Sequence, residues 1–188
     1  MNDRIRLRDI AGYCAEDAVW KMVVGLCDIV ADNNQCVLTP DTIIVDNSNF
    51  IHGKQNDSES EFLPPESAEG ELKTDAQHVW TIGALIYYVS SGRVIFGGYG
   101  GEYQRNHPKV QLPSLQKAHC ALTHLMQRCL AYEPTERVSV QELHSLALNG
   151  LQKCMNKERQ KRVINKEVVR KTAVISVETL WPEEMIKS

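Results

Sequence analysis

Residues 75–96, DAQHVWTIGALIYYVSSGRVIF, constrain the fold of this chain more than any other stretch. Val79, Trp80, Ile82, Leu85, Ile86 and Val89 recur at three- and four-residue spacing, and Gly83, Ala84 and Tyr87 fill most of the positions between. A helix apolar on nearly every face is a helix buried on nearly every face. Asp75 is the expected N-cap, and Gly92, behind Ser90 and Ser91, is the expected stop. At roughly 16 residues with polar atoms inside it, the helix is too short and too mixed to span a bilayer. It is therefore expected to be the post around which other helices pack, with Val79, Trp80, Ile82, Gly83 and Ile86 at the centre of a mainly α core.

The flanking pieces fit that plan. A short apolar-periodic piece surrounds Ile5, Leu7 and Ile10. Glu16 and Asp17 then open a helix whose stripe is Val19, Trp20, Val23, Val24, Leu26, Cys27 and Val30, with acidic residues in the dipole-favoured first turn. Residues 36–52 read as two short strands: Thr42, Ile43, Ile44 and Val45 are β-branched, and Asp46, Asn47, Ser48 and Asn49 are turn chemistry. Residues 53–60 are polar and aperiodic, so a loop is expected. Pro64 and Pro65 exclude helix and impose an extended segment.

Residues 97–113 hold four glycines around Tyr99 and read as a long loop. A phosphate cradle is the sharper alternative, but no clear strand precedes it and no Gly-Lys-Ser/Thr ending follows. Residues 115–132 are expected to be helical, with Leu122, Leu125, Met126, Cys129 and Leu130 on one face. Ser139 and Glu142 form the Ser-x-x-Glu capping box of a further helix, which Asn149 and Gly150 are expected to end.

Composition bounds the functional classes. The 188 residues are 43% hydrophobic and 24% charged, which suits one soluble domain with a core, and the net charge of −3 carries no global nucleic-acid signature. The six cysteines include no Cys-x-x-Cys pair and mostly lie in apolar helical settings, so buried thiols in a reducing compartment are expected. No apolar signal region opens the chain, so a cytoplasmic location is the expectation.

Four pieces, in order, resemble the carboxy-terminal lobe of eukaryotic-type protein kinases. Leu38, Thr39, Pro40, Asp41, Thr42, Ile43 and Ile44 are similar to the catalytic-loop segment Leu-Lys-Pro-Glu-Asn-Ile-Leu. Pro64, Pro65 and Glu66 resemble Ala-Pro-Glu, and Val79, Trp80, Thr81, Ile82 and Gly83 resemble Val-Trp-Ser-Leu-Gly. Cys129 and Leu130, with Pro134, Arg137 and Ser139 following, are similar to Cys-Leu-x-x-Asp-Pro-x-x-Arg-Pro-Ser. The resemblance implies a kinase C-lobe-like helical bundle over residues 1–150, with a short β-hairpin and without the nucleotide-gripping amino-terminal lobe. It also implies a buried ion pair between Glu66 and Arg137, since the family pairs those positions.

The same alignment removes the chemistry. Gln35, Cys36 and Val37 stand where kinases have His-Arg-Asp, and valine cannot accept a proton from a substrate hydroxyl. Thr42 stands at the asparagine that holds the second magnesium, and no Asp-Phe-Gly lies between Phe50 and Phe62. Asp46 and Asp57 are the nearby carboxylates, one in a turn and one in a loop. His78 replaces the central-helix aspartate that pins the catalytic loop, and is expected to be a packed, hydrogen-bonded histidine. No catalytic residue, cofactor or metal ligand set is therefore expected; His119 and His124 do not share a helix face. A nearer resemblance is to the KIND domain, a non-catalytic C-lobe, carried by Leu7, Arg8, Asp9, Ile10, Glu16 and Trp20 with residues 38–43. That implies a protein-docking module.

The remaining stretch, residues 151–188, reads as a basic helical extension and tail. Over residues 152–171 eight basic residues face two acidic ones, a net of +6, which leaves −9 for the remainder. Lys157, Arg159, Lys161 and Arg162, with Trp181 beyond them, are the candidate interaction residues. A solvated continuation helix packing on the acidic body is the plain reading; an acidic-partner or nucleic-acid contact is the sharper one, although no aromatic residue interleaves the charges for base stacking. Residues 172–177 have strand propensity and are expected to offer an edge strand. Three functions compete: an inactive kinase-like interaction module whose protein partner is unidentified, an active or trans-complemented phosphotransferase, and a nucleic-acid-binding adaptor. The first is preferred; no membrane partner is expected, and a homo-oligomer stays open.

Overall fold

The computed structural model describes residues 5–46, 49–53, 60–67, 73–115 and 120–180, with side chains in the last stretch as far as Glu167. The elements are β1 (Ile5–Arg6), α1 (Glu16–Asp32), β2 (Ile43–Asp46), β3 (Asn49–His52), α2 (Asp75–Ser91), α3 (Gly100–Asn106), α4 (Cys120–Cys129) and α5 (Val140–Leu180). Single 3-10 turns occupy Leu7–Ile10, Ser60–Phe62, Ile95–Gly98 and Pro134–Glu136. The chain divides into two compact units, Met1–Leu151 and Gln152–Ser188.

In the first unit α2 is buried without a break from Gln77 to Ile86. Val79, Trp80, Ile82, Ala84, Leu85, Ile86 and Val89 are all 0% exposed, and Gly83 is buried among them. Its cap differs by one residue from expectation. Thr74, not Asp75, is the N-cap: Gln77 N donates to Thr74 Oγ1 at 3.3 Å, and Thr74 N donates to Gln77 Oε1 at 3.0 Å. This reciprocal pair satisfies two helix-end donors together, and Asp75 is left as the acidic first residue favoured by the dipole. At the other end Gly92 adopts φ +70°, the left-handed stop that glycine reaches without steric cost.

α1 and α4 pack against α2. Gly83 lets α4 approach: a Cβ there would lie 2.8 Å from Cys129 Cβ and 3.0 Å from Leu130 Cγ. α1 contributes Val19, Trp20, Met22, Val23, Leu26, Cys27 and Val30 to the core. The three-stranded antiparallel sheet, in the order β1-β2-β3, places Ile44 opposite both Arg6 and Ile51, and Asp46 opposite Asn49. The hairpin of β2 and β3 follows its β-branched run; the apolar-periodic piece around Ile5, Leu7 and Ile10 divides into the two-residue β1 and a 3-10 turn.

Four segments differ from their expected form. Pro64 and Pro65 do not hold an extended segment, because Ser67 N donates to Pro64 O at 3.1 Å and closes a turn. Residues 97–113 are not one open loop, because α3 forms inside them. The helix expected over 115–132 is confined to Cys120–Cys129 among the described residues. Asn149 and Gly150 do not end α5, which continues to Leu180 and takes residues 172–177 into the helix rather than a strand. Strand propensity is weak and depends on a neighbouring strand, whereas a helix already nucleated extends at the gain of one hydrogen bond per residue. Gly150 instead serves packing, since a Cβ there would lie 2.6 Å from the Trp20 ring. No helix of the described residues is long and apolar enough to cross a membrane.

Candidate functional site

The four resembling pieces meet around one short segment, residues 60–67. Glu66 Oε1 accepts from Arg137 Nη1 at 2.6 Å, and Oε2 accepts from Nη2 at 2.8 Å, a planar two-bond pairing that only a guanidinium makes. The arginine fork is fully used. Nε donates to Ala131 O at 2.8 Å, Nη1 also to Ala76 O at 2.9 Å, and Nη2 also to Tyr132 O at 3.0 Å. All five N–H groups are therefore satisfied. The arginine side chain is 0% exposed and that of Glu66 is 28%, so the pair is buried at its cationic end and open at its anionic rim.

Two glycines of the glycine-rich stretch support this segment. A Cβ on Gly100 would collide with the carbonyl of Glu61, and one on Gly101 with that of Leu63. Gly101 N donates to Leu63 O at 3.2 Å, and Arg105 Nη2 donates to Ser67 O at 3.1 Å. From below, Thr81 Oγ1 donates to Phe62 O at 3.0 Å. Two glycines are thus where two backbones touch. The sequence implied a long loop here; the signal for the close approach was the Gly100, Gly101 doublet, which lies against Glu61, Leu63 and the two prolines.

Beside the segment lies the loop that resembles the catalytic one. Val37 is half-buried, and its carbonyl accepts from Thr42 Oγ1 at 2.7 Å and lies 3.0 Å from His52 Nε2. Thr39 N also donates to Thr42 Oγ1 at 2.9 Å, so the threonine is the hub of a closed loop. Asp41 is paired with Arg8, and Arg6 Nη1 lies 3.5 Å from Asp41 Oδ1. The space between this loop, Phe62, Pro64 and His78 is about 10 Å³, room for about one water molecule.

His78 holds the loop from the central helix. Its Nε2 lies 2.6 Å from Asn34 O; a carbonyl only accepts, so Nε2 carries the proton. The residue is 3% exposed, and burial pushes its pKa below the usual 6.5, more than the Asn34 carbonyl and Asp75 raise it. Among the described residues no three metal-ligating side chains gather. Asp57, His119 and Trp181 lie outside the described residues.

The thiols divide by environment. Cys27, Cys36 and Cys129 are buried, Cys14 and Cys154 half-buried and Cys120 exposed, so burial holds for only part of the set. Burial pushes the Cys27 thiol up to about 12, with Asp28 adding to it, and pushes Cys129 up as well. In the second unit, Lys157, Arg159, Lys161 and Arg162 are exposed on α5.

No family model matches the chain. Over 83 residues, 44% of its length, it is 32% identical to the serine/threonine-protein kinase PkaA of Streptomyces coelicolor, and it spans 15% of that protein. The likeness is thus to a protein kinase, over part of the chain, carried on a mainly helical fold with a small antiparallel sheet.

Proposed function

We propose that the chain is a catalytically inactive, kinase C-lobe-like module that docks another protein through its surface and its basic extension. The surroundings of Val37 carry this reading. Valine stands at the position of the kinase base, and its carbonyl is committed to Thr42 and faces His52. Thr42, at the position of a magnesium-holding asparagine, turns its hydroxyl onto Val37 and Thr39 rather than outward. Phosphoryl transfer depends on positioning and on neutralising charge, and neither a base nor a metal carboxylate stands at these positions. The parts that remain are scaffold: the Glu66 and Arg137 pair, the central helix, and His78 in place of the aspartate that pins the loop. The KIND-domain resemblance supports docking as the use to which such a scaffold is put.

A second reading, a phosphotransferase completed by another chain, is favoured by the identity to a kinase over 83 residues. Calorimetric titration of the full chain with ATP and magnesium, followed by label transfer to a protein acceptor, separates the two. The inactive module gives no saturable heat at ~1 mM nucleotide and no transfer. Turnover that stops on Thr42→Ala would establish the second reading and end the first.

A further inference from the structure

Every residue from 155 to 167 of α5 is exposed. A helix solvated all round has no packing face to hold it, so it depends on its own side-chain pairs or on a partner. Its own pairs are divided: Glu158 precedes Arg162 by four residues, the favoured order, but like charges recur on the same spacing. Lys153 and Lys157, Lys157 and Lys161, and Arg162 and Lys166 are each four residues apart, where like charges meet one turn along the same face. Lys161 Nζ reaches Glu158 Oε1 at 2.9 Å. Among the described residues Arg159, Arg162 and Lys166 meet no carboxylate.

Those three residues are also in line. Met155, Arg159, Arg162 and Lys166 follow at spacings of four, three and four, so they share one narrow face, a mostly basic seam. A second copy laid on that seam, in either direction, sets guanidinium against guanidinium. We propose that this face docks an acidic α-helical segment of another protein, whose carboxylates answer Arg159, Arg162 and Lys166 while an apolar residue covers Met155. The proposal rests on the interaction-module reading and names the chemistry of the partner. Nucleic acid would match the charge but leave Met155, the apolar residue of this face and 57% exposed, without an apolar cover. Lipid needs one apolar face, and Lys157 and Arg159, two residues apart, stand on opposite sides of the helix.

The test titrates the full chain with a synthetic three-heptad peptide bearing glutamate at its seam around one leucine, beside a scrambled peptide of the same composition. Calorimetry reads affinity and far-ultraviolet circular dichroism reads helix gain. The patterned peptide binds with a gain in helicity, weakens with salt, and binds at least about tenfold tighter than the scrambled one. Arg159→Glu combined with Arg162→Glu weakens it at least about tenfold more than Lys153→Glu combined with Lys157→Glu. Equal affinity for the scrambled peptide, no loss in the Arg159 and Arg162 variant, tighter binding of a DNA duplex at equal salt, or self-association abolished by that variant would each overturn the proposal. ATP turnover bears on the inactive-module reading alone; a silent nucleotide titration with no peptide binding sinks only the docking proposal.

Discussion

The indole N–H of Trp80 donates to Gln104 Oε1 at 2.8 Å, and Gln104 Nε2 in turn donates to Leu130 O at 2.8 Å. One buried amide thereby joins the centre of α2, the helix α3 and the end of α4. Gln104 is 2% exposed, so water cannot replace it. Gln104→Leu leaves an indole donor and a backbone acceptor unpaired, each costing about 1–3 kcal/mol. Chemical denaturation should show a loss in that range or above it, and Trp80→Phe in the same background should recover part of it.

Arg137 offers a sharper contrast. Arg137→Ala strands a carboxylate and three backbone carbonyls, and because Glu66 is open at its rim the expected loss is near the lower end of the range for broken buried pairs, about 3 kcal/mol. Arg137→Lys keeps the charge but cannot supply five fixed donors, so it should lose more than half as much. A melting temperature unchanged by Arg137→Ala would show that the pair contributes nothing.

The approach of α4 to α2 rests on a missing methyl group. Gly83→Ala brings its Cβ against Cys129 and Leu130, and overpacking of this kind costs about 1–3 kcal/mol. Cys129→Ala removes the Sγ but not the Cβ that stands 2.8 Å away, so the double variant should stay well below wild type in a urea titration.

His78 makes stability depend on pH in one direction. Its folded pKa lies below the unfolded value of 6.5, so the unfolded chain binds the proton first as pH falls. The contribution is complete above pH 6.5 and is lost as pH falls from there through the depressed folded value. His78→Gln, which keeps a donor for Asn34 O, should flatten that part of the profile measured by urea unfolding across the same pH window.

Thiol labelling gives a structural readout of the core. Of six cysteines, Cys120 should react first in the native chain, Cys14 and Cys154 more slowly, and Cys27, Cys36 and Cys129 only on unfolding. Mass spectrometry after brief maleimide treatment assigns each; rapid native labelling of Cys129 would contradict its place between α2 and α4.

The elements legible in advance were those whose evidence is local. α2 reads from its all-round apolar repeat, and the hairpin from a β-branched run followed by turn residues. The start of α5 reads from Ser139, whose hydroxyl accepts from Glu142 N at 3.1 Å. The elements that were not legible depend on distant neighbours. Nothing near Gly100 announces the carbonyl of Glu61, and nothing near residues 172–177 reveals that a helix begun at Val140 would run through them.

The amino-acid sequence alone determined that a helix apolar on nearly every side must be surrounded and that Val37 cannot move a proton; the extended segment it implied at Pro64 and Pro65 instead turns, with Ser67 N donating to Pro64 O at 3.1 Å. Side-chain chemistry and periodicity are properties of the residues themselves, and no neighbour alters them. Only the tertiary structure decided that the glycines form a shelf for that segment, that Thr74 caps the central helix, and that Arg137 spends every donor. Each of those depends on which atoms come within hydrogen-bonding or van der Waals reach, and that reach spans residues dozens of positions apart.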